Sequence, residues 1–157
     1  MARTLRAMNI FPIAAMGYSK LASRLGIDNT PDPSILANLE KTAAALDEIR
    51  ALLGLPLHLV SGYRCEELER MHSEADYQVW CQRQSKAVDS TSWQLYFSDK
   101  AHPRGFAADF TCSAFGSPEA IVEAIAASPI AFDQCIAEGT WVHISVDPRW
   151  RREVMFR

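Results

Sequence analysis

Residues 101–110 read AHPRGFAADF. A histidine, a Pro-Arg-Gly turn and an aspartate fall within this stretch, and the aspartate stands in an apolar run, Phe106-Ala107-Ala108-Asp109-Phe110. A carboxylate in such a run is costly to bury unless a partner compensates it. FAADF reads as a strand, with Ala107, Asp109 and Thr111 on one face. A second alternating stretch, WVHISV at 141–146, puts Trp141, His143 and Ser145 on one face. If the two strands are neighbours, Asp109 and His143 lie within cross-strand reach, with Cβ atoms roughly 5 Å apart. His102 precedes the first strand, and the turn Pro103-Arg104-Gly105 can fold it back over the same face, Gly105 supplying the backbone freedom. Two imidazoles and one carboxylate converging in this way are the three protein ligands of a catalytic zinc site with one position open for water. On spacing alone, three unrelated polar residues remain the competing reading. His58, in LPLHLV, reads as a satisfied strand histidine, and His72 as a solvated one.

Outward from this stretch, the punctuation is regular. Residues 19–25 form a short helix ending at Gly26. Asp32 is a suitable N-cap and Pro33 a suitable first helical residue. Ile35, Leu36, Leu39, Ala43, Leu46, Ile49 and Leu53 follow at helical spacing until Gly54 and Pro56 stop the helix. LHLVS at 57–61 is a strand, 66–72 a short helix, and SPEAIVEAIAAS a helix capped by Ser117. Residues 73–99 are polar and aromatic without a clear period. The order long helix, strand, insertion, strand, helix, strand predicts an α+β fold, with helices packed on a small, mostly antiparallel sheet.

The 157 residues suit one domain spanning 1–157, with 73–99 as an inserted segment. A net charge of −3 offers no broad basic surface, which argues against nucleic acid as a partner. Cys65, Cys81, Cys112 and Cys135 show no C-x-x-C spacing and read as free thiols, mostly buried. Arg3 and Arg6 precede NIFPIAAMG, a faint likeness to a signal peptide, but Pro12 interrupts the run and no clean cleavage site follows. The expectation is a mature N-terminus, with no membrane insertion because no stretch is long enough to span one.

Three motifs, SGYR at 61–64, HPRGFAAD at 102–109 and WVHIS at 141–145, resemble the zinc D-Ala-D-Ala carboxypeptidase superfamily. RLGIDNTP, FDQ and RREV are similar to its short phage and bacterial branch, so the resemblance runs over roughly residues 15–155. It implies the small α+β fold of those peptidases, and one zinc held by His102, Asp109 and His143. It further implies hydrolysis of a peptide bond in peptidoglycan stem peptides or cross-links, of D-Ala-D-Ala or L-Ala-D-Glu type, by a carboxypeptidase or endopeptidase. An endolysin-like enzyme of this kind would be a monomer, made in the cytoplasm and reaching the wall through a holin or in a virion.

The resemblance gives Arg64 a role towards the substrate or transition state, and a guanidinium fork suits a peptide carboxylate or a developing oxyanion. The alternative is a structural pair with Glu66, Glu67 or Glu69. Ser61 either orients Arg64 or touches substrate, and Trp141 is a substrate-side aromatic. The general base is a departure: many relatives carry an acid three positions before the last histidine, where this chain has Thr140. Glu138 is then the first candidate and Asp133 the second. The inserted aromatics, Tyr77, Trp80, Trp93, Tyr96 and Phe97, either form a lid or groove, or bury one another in a satellite cluster. Without a working base, the chain would be a non-catalytic, zinc-stabilised wall-binding or structural module of a phage particle. A dedicated dipeptidase for free D-Ala-D-Ala is the third reading.

Overall fold

The computed structural model describes residues 11–157, so the reading of the extreme N-terminus lies largely outside the described residues. Two short helices, α1 (Ile13–Met16) and α2 (Lys20–Leu25), lead into the long helix α3 (Pro33–Leu53). Asp32 caps α3 by accepting from the Ser34 N–H at 2.9 Å, and Gly54 closes it in the left-handed region at φ 68°. Leu39, Ala43, Leu46, Ile49 and Leu53, at helical spacing, are all buried. Strand β1 (His58–Ser61) follows, then helices α4 (Glu66–Arg83) and α5 (Ser90–Ser98), a single tight turn at His102–Arg104, and strand β2 (Ala107–Thr111). Helix α6 (Pro118–Ala126), capped by Ser117, leads to β3 (Gln134–Glu138), β4 (Trp141–Ser145) and β5 (Glu153–Phe156).

The fold is α+β, with a five-stranded sheet in the order β1-β2-β4-β3-β5. All neighbours are antiparallel except β3 and β5. One sheet face carries Ala108, Phe110, Cys135, Ala137, Val142 and Ile144 into a single core with Leu39, Leu46 and Ile49 of α3 and Ile121, Val122 and Ile125 of α6. The opposite face carries the polar side chains Ser61, Asp109 and His143 on β1, β2 and β4. There the register aligns Ser61, Asp109, His143, Ile136 and Met155 in one row across all five strands.

The sequence reading falls short between 66 and 99. The expected helix at 66–72 continues to Arg83, and the segment without a visible period contains a second helix capped by Asp89. Both are helical because their aromatics pack on each other. Tyr77, Cys81, Trp93 and Tyr96 are buried in a cluster apart from the main core, edged by Trp80 and Phe97. The satellite-cluster alternative describes this packing. Strands β3 and β5 were not anticipated either. All four cysteines are free, and only Cys65 is incompletely buried. His58 is exposed on an edge strand. No described helix is long and apolar enough to cross a membrane.

Candidate metal centre

Helix α3 sets the position of His102. Asn38 donates to the Arg104 carbonyl at 2.9 Å and Thr42 to the Gly105 carbonyl at 2.7 Å, clamping the turn onto the helix. Gly105 adopts φ 78°, and a Cβ there would lie 2.7 Å from Ile35 Cγ2 and 3.2 Å from the Ile35 carbonyl oxygen. The turn points the imidazole back over β2. His102 Nδ1 lies 2.7 Å from the Gly62 carbonyl oxygen. A carbonyl only accepts, so Nδ1 carries the proton and Nε2 is left facing the sheet.

That nitrogen lies 3.3 Å from Asp109 Oδ1, and His143 Nδ1 lies 2.9 Å from the same oxygen. A neutral His102 therefore presents a lone pair to a carboxylate oxygen. A second proton on the ring or a cation between the two groups resolves this opposition. The ligand atoms of His102, Asp109 and His143 lie within 4.8 Å of one another. Two imidazoles and a carboxylate form a three-ligand zinc donor set, so these residues fit the ion. The Gly62 carbonyl is the kind of outer partner that fixes a metal-binding tautomer. Burial opposes the charge on Asp109, but His102 and His143 outweigh it and hold its carboxyl well below the usual carboxylate range.

Arg64 occupies the other oxygen of Asp109. Its Nη2 donates to Asp109 Oδ2 at 2.9 Å, its Nη1 to Glu69 Oε2 at 3.1 Å and its Nε to Ser61 Oγ at 3.0 Å. Glu69, 2% exposed, also accepts from Ser73 Oγ at 2.8 Å. The structure thus pairs Arg64 with Glu69, one of the three acids considered, and adds Asp109. Glu66 instead accepts from Trp93 Nε1 at 2.8 Å. Ser61 meets Arg64, and Arg64 keeps further N–H groups beyond the three in use.

A cavity of about 540 Å³ opens over this row. Its floor includes His143, Ile136 and Glu138, and Trp141 stands at its edge, 38% exposed. Glu138 ends β3 and takes a hydrogen bond from Arg157 at 3.1 Å. Thr140 lies exposed in the β3–β4 turn. Asp133 is elsewhere. It is 1% exposed, does not line the cavity, and accepts from Arg151 N, Nε and Nη2 at 2.8, 3.0 and 2.7 Å. Burial raises its pKa, but the Arg151 bonds lower it by more. The structure brings Glu138 to the centre's cavity and commits Asp133 to Arg151.

Sequence reasoning missed one wall. Helix α4 presents Glu69, His72, Ser73 and Asp76 to the cavity, an i, i+3, i+4, i+7 stripe. That spacing was visible in the sequence, although the helix was expected to end at residue 72. Burial lowers the pKa of His72, and Arg64 lowers it further. The loop after β4 closes the other side. Buried Asp147 accepts from Arg149 N, Nε and Nη2, each at 3.0 Å, and from Arg104 Nη2, while Arg149 Nη1 reaches Asp99 Oδ1 at 2.5 Å. This ties the loop to the turn that carries His102.

Residues 9–93 match the family described as Peptidase M15. The chain belongs to that family. The match covers just over half of the 157 residues, includes Ser61 and Arg64, and ends before His102. No curated protein and no solved structure matches. The M15 chain is accordingly a peptidase of the zinc carboxypeptidase type. Beyond the matched stretch, its own geometry places the His102–Asp109–His143 cluster beside the matched Arg64.

Proposed function

We propose that this M15 peptidase is zinc-dependent and hydrolyses a peptide bond in peptidoglycan stem peptides or cross-links, of D-Ala-D-Ala or L-Ala-D-Glu type. The observation that carries the reading is the His102–Asp109–His143 cluster, held by Arg64 at the floor of a cavity that admits a peptide. His102, Asp109 and His143 would hold one zinc, which supplies Lewis acidity towards a carbonyl and a water. Glu138 takes the proton of the attacking water and delivers it to the departing amine. Arg64 directs its remaining N–H groups at the oxygen on which charge develops, and Ser61 fixes the plane of its guanidinium. Trp141 offers an aromatic edge to the substrate. The chain acts as a monomer of one domain, with 73–99 as an insertion. It belongs to the short phage and bacterial branch and reaches the wall by holin release or in a virion.

A non-catalytic wall-binding module is the second reading, favoured by Thr140 standing where many relatives carry an acid. Incubating the zinc-loaded protein with peptidoglycan and analysing soluble products by mass spectrometry separates the two. New peptide termini are expected, with about one zinc per chain by elemental analysis and sharply less in His102→Ala, Asp109→Ala and His143→Ala. Wall binding without any released fragment would establish the module instead.

A further inference from the structure

The cations around the cavity are not equally free. Arg64 is paired with Glu69 and Asp109, Arg149 with Asp147 and Asp99, Arg151 with Asp133, and Arg157 with Glu138. Among the described cavity-lining Lys and Arg residues, Lys100 alone makes no ion pair. Its position is nevertheless fixed. The Lys100 N–H donates to the Phe97 carbonyl at 3.0 Å, and its own carbonyl accepts from Arg104 Nε at 3.0 Å. Its ammonium sits 4.1 Å from the centroid of the Tyr96 ring. Tyr96 is itself buried against Tyr77 and Trp93. The aromatic cluster of the inserted segment therefore acts as a platform beneath one positive charge.

We infer that Lys100 is the anchor for a carboxylate of the substrate, and that the α4–α5 insertion serves to present it. The inference rests on the peptidase reading of the same cavity. A ring face engages the ammonium electrostatically but accepts no conventional hydrogen bond, so N–H donors remain for an anion. An ammonium held in place before binding loses less side-chain freedom when the anion arrives. Lys100 stands two residues before His102, so the anchored group lies beside the metal centre. The carboxylate can come from a peptide C-terminus, which makes the enzyme a carboxypeptidase, or from an acidic side chain, which fits an internal bond. Among the described lining residues, Asp76, across on α4, is the other Asp, Glu, Lys or Arg without an ion pair. If it held Lys100 in solution, the lysine would not distinguish charged from neutral ligands.

The test is calorimetric binding to the zinc-loaded full chain, with bond cleavage followed separately by mass spectrometry. One pair of probes is acetyl-Lys-D-Ala-D-Ala and its C-terminal amide. The other is Ala-D-Glu-Lys and Ala-D-Gln-Lys, both C-terminally amidated. In one pair the carboxylate form should bind about tenfold to a hundredfold more tightly, the scale of a hydrogen bond to a charged group. Lys100→Met should erase that preference at unchanged zinc content, and Lys100→Arg should retain part of it. The pair that responds identifies the source of the carboxylate. A preference that survives in Lys100→Met, or is absent from the wild type, overturns the inference. Lys100-dependent preference without cleavage of any probe or of peptidoglycan would defeat the peptidase reading and leave the anchor standing. Cleavage without that preference would do the reverse.

Discussion

Gly105→Ala measures how tightly the turn bearing His102 is built. Two costs add at this position. The backbone sits at φ 78°, where an L side chain loses about 1–2 kcal/mol. The new methyl would also meet Ile35 Cγ2 at 2.7 Å and the Ile35 carbonyl oxygen at 3.2 Å. Ile35 lies in the first turns of α3, close to the clamp formed by Asn38 and Thr42. Relief therefore requires the turn and helix to separate, at roughly a further 1–3 kcal/mol, the usual cost of overpacking. The matched control is Gly54→Ala. Gly54 has φ 68°, but nothing lies within 4 Å of its added Cβ, so only the backbone cost applies. Urea unfolding of the metal-free proteins gives both values from the midpoints, provided the slope is unchanged. Gly105→Ala should lose about 2–5 kcal/mol and Gly54→Ala about 1–2 kcal/mol. Equal losses would refute the steric clamp and reduce the role of Gly105 to its dihedral angle.

Arg64→Ala leaves buried Glu69 and Asp109 without their cation and should destabilise the metal-free chain by about 3–5 kcal/mol. Thermal unfolding should show Arg64→Ala/Glu69→Ala recovering part of that loss, and a double variant no more stable than the single one would count against the pair. Glu138→Gln should keep its zinc and lose on the order of a hundredfold in turnover, whereas Asp133→Asn should lose stability through Arg151. Wild-type turnover in Glu138→Gln would remove Glu138 from the chemistry. Arg149 and Arg104 overcome the burial of Asp147 and lower its pKa from 3.8 to about 2. Its folded value is depressed, so its contribution is complete above pH 3.8 and is lost as the pH falls through about 2. Linkage makes this roughly 2 kcal/mol. In urea titrations, the stability gap between wild type and Asp147→Asn should narrow between pH 5 and pH 2, and a constant gap would contradict the assignment.

The fold was legible where local chemistry and tertiary packing agree. Asp32-Pro33 and Gly54 bound α3, Ser117-Pro118 opens α6, and the alternation of FAADF and WVHIS gives two central strands whose pairing sets Asp109 opposite His143. The convergence of His102 needed only the turn before β2. Other elements carry no comparable local signal. Strand β5 is four residues long and pairs in parallel with β3 alone, so partner placement rather than pattern defines it. The α4–α5 aromatics do stand at helical spacing, Tyr77 with Trp80 and Trp93 with Tyr96 and Phe97, but each stripe is only about one turn long and packs on the other helix, apart from the main core. In the sequence, nearness to His143 puts Glu138 ahead of Asp133. Each pairs with an arginine, but Asp133 is buried with Arg151 away from the cavity, whereas Glu138 lines it.

The floor and one wall of the cavity belong to different packing units. The floor is continuous with the main core beneath the sheet, while α4 and α5 are joined through their own aromatic cluster and through the Tyr77–Asp89 and Trp93–Glu66 hydrogen bonds. Such a unit can open as a subglobal event, at a free energy below that of complete unfolding. Opening it would withdraw Glu69 from Arg64 and remove the platform under Lys100, while His102 keeps its bond to Gly62 and Asp109 its strand partner. The metal ligands are thereby insulated from fluctuations of the wall that meets the substrate. Amide exchange would register this as two protection classes, with α5 exchanging ahead of β2 and β4.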